Sequence, residues 1–130
     1  MATIKRFEDL RIWQDAHALN KEIILIVKST KLKENFKLKD QICSSAGSIM
    51  DNIAEGFERD GSLEFRQFLA IAKGSAGETR SQLYRLLDWE YINEMTFEKL
   101  ITDCEYLSKR ISNFISYLNK KDYKGTKFKS

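Results

Sequence analysis

The amino-acid sequence predicts an all-α protein, an antiparallel up-and-down bundle of four helices. Three observations carry that reading. Apolar residues recur at intervals of three and four along four separate stretches, the period of a helix with one buried face. Short polar connections join the stretches, as antiparallel neighbours require. The 130 residues include no proline, so nothing forbids long uninterrupted helices.

The first helix is expected from Asp9 or Leu10 to about Thr30, with Asp9 as its cap. Leu10, Trp13, Ala16, Leu19, Ile23 and Val27 form its stripe, and Ile24 and Ile26 broaden it. The run Ile23 to Val27 has strand-like composition, but the stripe outlasts a strand and no partner strand appears. Residues 31–38 read as a basic connection pinned by Phe36 and Leu38. The second helix then begins near Asp40, buries Ile42, Ala46, Ile49 and Ile53, with Cys43 and Met50 beside them, and stops at Gly56, where Phe57 folds back over the end.

Ser62 is the expected cap of a third helix reaching about Glu90, with Glu64 in its first turn. Its face comprises Phe65, Phe68, Leu69, Ala72, Ala76, Thr79, Leu83 and Leu86. Gly74 and Gly77 each cost about 1 kcal/mol of helix propensity, which suggests close approach of a neighbouring helix. Asn93 and Glu94 mark the last turn, and Thr96 caps a fourth helix. Its apolar face is Phe97, Leu100, Ile101, Cys104, Leu107, Ile111, Phe114, Ile115 and Leu118. The domain spans residues 1–119, and residues 120–130 read as a loose basic tail.

Composition bounds function. With 42% hydrophobic and 32% charged residues the chain folds and dissolves, and no window approaches the length of a membrane span. The N-terminus lacks a signal-peptide core, and Cys43 and Cys104 read as buried thiols in a reducing cytoplasm. The net charge of +3 is small but unevenly spread: +3 over residues 1–40, −3 over 41–90 and +3 over 91–130. Candidate phosphate contacts are Lys5, Arg6, Arg11, Lys31, Lys33, Lys37 and Lys39 near one part of the bundle, with Lys120, Lys121, Lys124, Lys127 and Lys129 in the tail.

Enzymatic readings find little support. There is one histidine, His17, expected as a packed boundary side chain, and no Glu-x-x-His, so a dimetal site is disfavoured. No nucleophile elbow, CxxC, HExxH or phosphate-binding glycine loop occurs, so neither catalytic residue nor cofactor nor metal is expected. The most unusual polar constellation is Ser48, Asn52, Glu55 and Arg59 beside the second helix's stripe, with Glu78 opposite. It reads first as a network that pins helix register, and second as a ligand contact. An enzyme would need a deep polar pocket joining Asn52, Glu55 and Glu78. Exposed Trp89, Tyr91 and Phe97 would instead favour a protein-interaction scaffold without nucleic-acid contact.

The stretches FEDLRIWQDAHAL at 7–19, DQICSSAGSIMDNIAEGFERDGSLEFRQFLAIAKGSAGETRSQL at 40–83 and the following LLDWEYIN resemble the bacterial four-helix-bundle proteins encoded by intervening sequences in 23S ribosomal RNA genes, the S23 or intervening-sequence proteins. The resemblance covers about Phe7 to Leu118 and rests on Phe7, Asp9, Leu10, Trp13, Gln41, Ser48, Asn52, Ile53, Ala54, Glu55, Gly56, Glu64, Phe65, Phe68, Leu69, Gly74, Ser75 and Glu78. It implies a left-handed bundle assembled as a homopentamer with a central opening, and kinship with nucleic-acid-binding accessory proteins of diversity-generating retroelements. It supplies no catalytic residue. Cys43 and Ser44 stand where the family often has basic residues, and Arg80 where an acidic or neutral one is usual, which reduces a basic surface near the second helix.

Overall fold

The computed structural model describes residues 4–124, and the side chains of 4–121. A 3-10 turn at Phe7–Asp9 leads into α1 (Arg11–Ser29), a second 3-10 turn at Lys31–Glu34 leads into α2 (Phe36–Glu58), and α3 (Ser62–Asp88) and α4 (Glu94–Lys124) follow. Each helix packs on two others in a closed cycle: α1 on α2 and α4, α3 on α2 and α4, with no close backbone approach across the diagonals among the described residues. The α2–α3 seam is the most intimate and the α1–α4 seam the most open.

The core follows the apolar stripes. Leu10, Ala16, Leu19 and Ile23 of the first stripe, all four expected positions of α2, and Leu100, Cys104, Leu107, Ile111 and Leu118 of α4 are buried. Phe65, Leu69, Ala72, Ala76, Thr79, Leu83 and Leu86 line α3, while Phe68 is half-buried. Ile12 and Ile26 are buried where Trp13 and Val27 are only half-buried, so the inward stripe of α1 departs from the expected one at these two positions alone. Trp13 instead packs between the tilted rings of Phe7 and His17, at centroid distances of 5.3 and 4.8 Å, and this is the boundary role expected of His17.

Several helix ends differ from the sequence reading, each for a local reason. Leu10, not Asp9, occupies the cap of α1, and no side chain caps it. Helix α2 starts four residues early because Asn35 Oδ1 accepts from the Leu38 amide at 3.2 Å, and Thr30 caps the preceding turn by accepting from the Leu32 amide. Leu38 is buried as expected, whereas Phe36 is 69% exposed and pins nothing.

Gly56 is not a stop. It lies inside α2, buried, and a Cβ built there would sit 2.7 Å from Phe68 Cβ and 3.0 Å from Phe65 Cδ1, so the glycine is what lets α3 approach. Phe57 packs as part of the helix against Phe65 at 6.0 Å. The converse holds on α3: nothing lies within 4 Å of a Cβ at Gly74 or Gly77, so no neighbour within the protomer explains them.

Ser62 is the first residue of α3, with Gly61 at the cap, and its buried hydroxyl has no partner. Asn93 Oδ1 accepts from the Thr96 amide at 2.8 Å, so Asn93 caps α4 and Thr96 lies in its first turn. Helix α4 runs on to Lys124, so residues 120–124 of the expected tail are helical.

Candidate nucleic-acid interface

The polar network expected at Ser48, Asn52, Glu55, Arg59 and Glu78 divides in two. Asn52 Nδ2 donates to the backbone carbonyl and to the hydroxyl of Ser48, both at 2.8 Å, and Ser75 Oγ donates to Ser48 Oγ at 3.0 Å. One step along the seam, Thr79 Oγ1 donates to Ser45 Oγ at 2.8 Å and Ser45 donates to Gln82 Oε1 at 2.6 Å. Ser45, Ser75, Thr79 and Gln82 are buried, and none of the ladder's fully buried side-chain polar atoms lacks a partner. It ties α2 to α3 at two levels, so a slip of one helix along the other would orphan buried groups.

Glu55 and Arg59 belong to a different system. They pair at 2.9 Å on the solvent side, with Glu64 3.9 Å from the same guanidinium, and exposed pairs of this kind contribute roughly 0–1 kcal/mol. Glu78 is exposed and joins neither group. Glu55 and Glu78 therefore stand on exposed positions outside the hydrogen-bonded group of Asn52. The ladder was half legible: residues 45, 48 and 52 and residues 75, 79 and 82 are two polar stripes at complementary three–four spacing. Thr79 reads as core when its stripe is weighed alone, and only the facing stripe of α2 shows it to be part of a polar pair.

The basic residues fall into two groups at opposite ends of α1, whose 19 residues span roughly 28 Å. Lys5, Arg6 and Arg11 lie where α1 begins; Lys31, Lys33, Lys37 and Lys39 lie beyond its end. They are not one patch. At the first end Arg6 is bound to Glu8 at 2.8 Å and Arg11 faces Asp15 at 3.5 Å. The Arg6 hydrogen bond also holds the Glu8 carboxyl below its usual range. Contacts of Phe65 with Phe114, and of Arg66 with Asn119, set the end of α4 beside the start of α3. Lys120 and Lys121 lie there, Lys121 resting 5.8 Å above the Tyr117 ring. The side chain of Lys124, and all of Lys127 and Lys129, fall outside the described residues.

The other end is less neutralised. Residues 28–37 carry four lysines and one carboxylate, Glu34. Among the described residues none of Lys28, Lys31, Lys33 and Lys37 takes part in an ion pair. Lys28 sits in the last turn of α1, where a cation complements the negative end of the helix dipole. Lys39 is more engaged, 3.9 Å from Asp40 and 5.0 Å above the Phe36 ring.

Against this end packs the turn between α3 and α4. Its backbone closes α3 with hydrogen bonds from the Glu90 amide to Leu87 and from the Tyr91 amide to Leu86, both 2.9 Å, and Glu90 sits at φ 62°. This left-handed corner, held by a residue other than glycine, turns Trp89 outward to 64% exposure. Asn35 Nδ2 donates to the Tyr91 hydroxyl at 3.2 Å and links the two connections. Between them lies a cleft of about 420 Å³ lined by Ser29, Thr30, Lys31, Trp89, Glu90 and Tyr91. Of the three aromatics weighed for an exposed interface, only Trp89 is exposed; Tyr91 is half-buried and Phe97 is buried.

A second groove, about 370 Å³, follows the α1–α4 seam, but its charges are satisfied. Lys99 donates to Glu22 at 2.7 Å and to Asp103 at 3.0 Å, and the bond to Glu22 above all raises its pKa. Arg110 donates to Asp15 at 2.6 Å. Arg80, unusual for the resemblance, faces Glu105 at 3.8 Å. Among the described residues no group of three or more His, Cys, Asp or Glu side chains is placed to hold a metal ion, and no helix is long and apolar enough to cross a membrane. Both cysteines are free thiols; burial pushes Cys104 up to about 12, which makes it a poor nucleophile.

Comparison with known proteins adds identity to this geometry. A family model described as 23S rRNA-intervening sequence protein matches residues 8–113. Among solved structures, a protein of unknown function from the S23 ribosomal protein family of Bacteroides thetaiotaomicron aligns with a TM-score of 0.74 and 26% sequence identity, covering 80% of this chain and 97% of that one. No curated protein matches.

Proposed function

The chain belongs to the 23S rRNA-intervening sequence protein family, and from that membership and the surface just described we propose a non-enzymatic, oligomeric four-helix bundle that binds RNA or DNA through phosphate contacts. One observation carries the reading: Lys28, Lys31, Lys33 and Lys37, none of them in an ion pair among the described residues, cluster in and on either side of the α1–α2 connection, while basic side chains along the α1–α4 seam are neutralised by carboxylates. Unpaired lysines can exchange counterions for phosphates without first breaking an internal pair. Lys5, Lys120 and Lys121, with Lys124, Lys127 and Lys129 beyond them, form a second basic contact at the opposite end in this proposal. The family name refers to the gene's setting and contributes no binding site.

The rest of the proposal concerns assembly. The pairing of Ser45 with Thr79 and of Ser48 with Ser75 supports antiparallel neighbours in an up-and-down order. Self-association is supported by α3, which exposes Leu63 and, one turn before the uncrowded Gly74, Ile71. A second copy approaching Gly74 and Gly77 would give them the purpose they lack within the protomer. The number five, the left-handed twist, the kinship with retroelement accessory proteins and a cytoplasmic setting belong to this proposal through the resemblance. The same exposed apolar residues favour a second reading, a protein-interaction scaffold that touches no nucleic acid.

The deciding experiment is a fluorescence-anisotropy titration of nucleic-acid-free protein against labelled structured RNA and duplex DNA at two salt concentrations. Saturable binding should weaken by about tenfold or more between 50 and 200 mM salt if several phosphates are contacted. Neutralising Lys31, Lys33 and Lys37 together should weaken it further. Absence of binding to either polymer at low salt would move the scaffold reading to first place.

A further inference from the structure

The cleft between the two connections holds more than lysines, and its composition distinguishes among kinds of nucleic acid. A duplex offers a cylinder of phosphates with its bases stacked inside, and lysines alone suffice to hold it. A single strand offers phosphates and free base faces, and its binders combine a cationic track with exposed aromatic rings. This end of the bundle has both. Trp89 is 64% exposed, belongs to no core contact, and lines the same cleft as Lys31.

We propose that the cleft between the α1–α2 and α3–α4 connections is a single-strand site in which Trp89 stacks on an unpaired base while Lys31, with Lys28 and Lys33 beside it, holds the flanking phosphates. The proposal rests on the nucleic-acid reading above and deepens it by naming the substrate class and the site. The cleft volume of about 420 Å³ lies within the roughly 300–1,000 Å³ typical of ligand sites. Its walls also provide specific hydrogen-bond capacity. The Tyr91 hydroxyl accepts from Asn35, which leaves its own proton to donate, and the Trp89 indole N–H has no acceptor among the described residues. Phe36, the other exposed ring at this end, already has Lys39 over one face, so Trp89 is the better platform.

Charge gives the strand a direction across the cleft. Glu90 lines the same space, and Asp88 stands next to Trp89 in the chain, so the α3–α4 side repels phosphate while the lysine side attracts it. A base over Trp89 would therefore have its backbone on the side of the α1–α2 connection. A partner protein carrying a basic residue would find Glu90 attractive instead. The sign of the response to removing Glu90's charge separates the two.

The test uses the full-length protein with a short fluorescent single-stranded RNA, an abasic oligonucleotide of the same length, and a duplex. Trp89→Ala should weaken binding of the single strand by about tenfold, the effect of losing one stacked base, and Trp89→Phe should recover most of it. Binding of the abasic strand and of the duplex should be unchanged by Trp89→Ala. Glu90→Gln should tighten single-strand binding by about twofold, as removal of one nearby repulsive charge does. If lysine substitutions weaken every ligand and Trp89→Ala weakens none, the single-strand site is refuted and the phosphate-binding reading stands. If none of the three binds at low salt, both fall. Capture of a protein partner that Glu90→Gln releases would also overturn the proposal. Since Trp89 is solvent-exposed, loss of fold does not confuse the outcome, and circular dichroism of the variant confirms it.

Discussion

Replacing Gly56 by alanine isolates the packing of α2 on α3, because the same substitution at Gly74 supplies its control. Both glycines lie within helices, and alanine gains about 1 kcal/mol of helix propensity at an interior position. At Gly74 nothing lies within 4 Å of the added methyl, so that gain is realised in full. At Gly56 the methyl would lie 2.7 Å from Phe68 Cβ, 3.0 Å from Phe65 Cδ1 and 3.4 Å from the Phe65 carbonyl. Phe68 Cβ is fixed to the backbone of α3 and cannot rotate away. Phe65 is held against Phe57 and Phe114, at 6.0 and 5.5 Å. Relief requires α3 to move, against a buried ladder that fixes it to α2. Overpacking of this kind costs roughly 1–3 kcal/mol, and the fixed neighbour puts this site near the upper end. Subtracting the propensity gain leaves Gly56→Ala destabilised by about 2 kcal/mol while Gly74→Ala is stabilised by about 1. The two variants should then differ by roughly 10 °C in Tm at this chain length. Urea and thermal unfolding at high dilution, with the mass recorded for each variant, measure the difference. Equal stability of the two variants would refute the assignment of Gly56 to close helix contact.

Glu90→Gly should raise stability by roughly 0.5–1 kcal/mol, because glycine relieves the left-handed corner at φ 62° while losing some backbone entropy; thermal unfolding that shows no increase would mean the corner is unstrained. Ser45→Ala should cost about 1–3 kcal/mol by orphaning Gln82 Oε1, and adding Thr79→Val and Gln82→Met should recover most of it; urea denaturation checks both, and a neutral single variant would remove the ladder's role. Cys104, pushed up to about 12 by burial, should resist thiol reagents at pH 8 until the protein unfolds. The raised value means the folded state keeps its thiol proton longer, so this contribution to stability is complete below about pH 9 and declines as pH rises from 9 towards 12. Stability curves at pH 8 and pH 10.5, compared with those of Cys104→Ala, report it.

How much was legible follows from the range of each interaction. Helix identity and the core depend on the local period, and Ile42, Ala46, Ile49 and Ile53 of α2 are all buried as that period requires. Helix ends depend on single side chains with several competing candidates. Asp9 and Ser62 have good capping chemistry, yet Leu10 and Gly61 hold the cap positions, and Asn35 begins α2 inside what read as a connection. Gly56 shows the deeper difficulty. A glycine near a helix end and a glycine at a helix crossing look alike in sequence, and only the position of Phe68 distinguishes them. The basic surface failed as a single patch for the same reason. Lys31 and Arg11 are close in composition space and separated by the whole length of α1.

Among the local choices that remain unfavourable within one protomer are Gly74 and Gly77 without a close neighbour and Glu90 in a left-handed corner. Locally unfavourable choices of this kind concentrate where function overrides local preference. The glycines lie on the outward face of α3 and Glu90 lies in the cleft at the α3–α4 turn, so assembly and strand binding should be separable by mutation. If copies associate through α3, each carries its own cleft, and a strand long enough to reach two clefts binds with an effective-concentration gain that a short one cannot obtain. Replacing Gly77 by leucine should therefore lower the assembly mass and weaken a long single strand by roughly tenfold or more, while leaving a short oligonucleotide unaffected. Trp89→Ala should do the reverse: the mass stays constant and both lengths bind less tightly. Sedimentation velocity paired with anisotropy at two strand lengths reads both effects. Equal loss for short and long strands in Gly77→Leu would mean that the face of α3 supports the cleft itself, and the separation of the two surfaces would have to be abandoned.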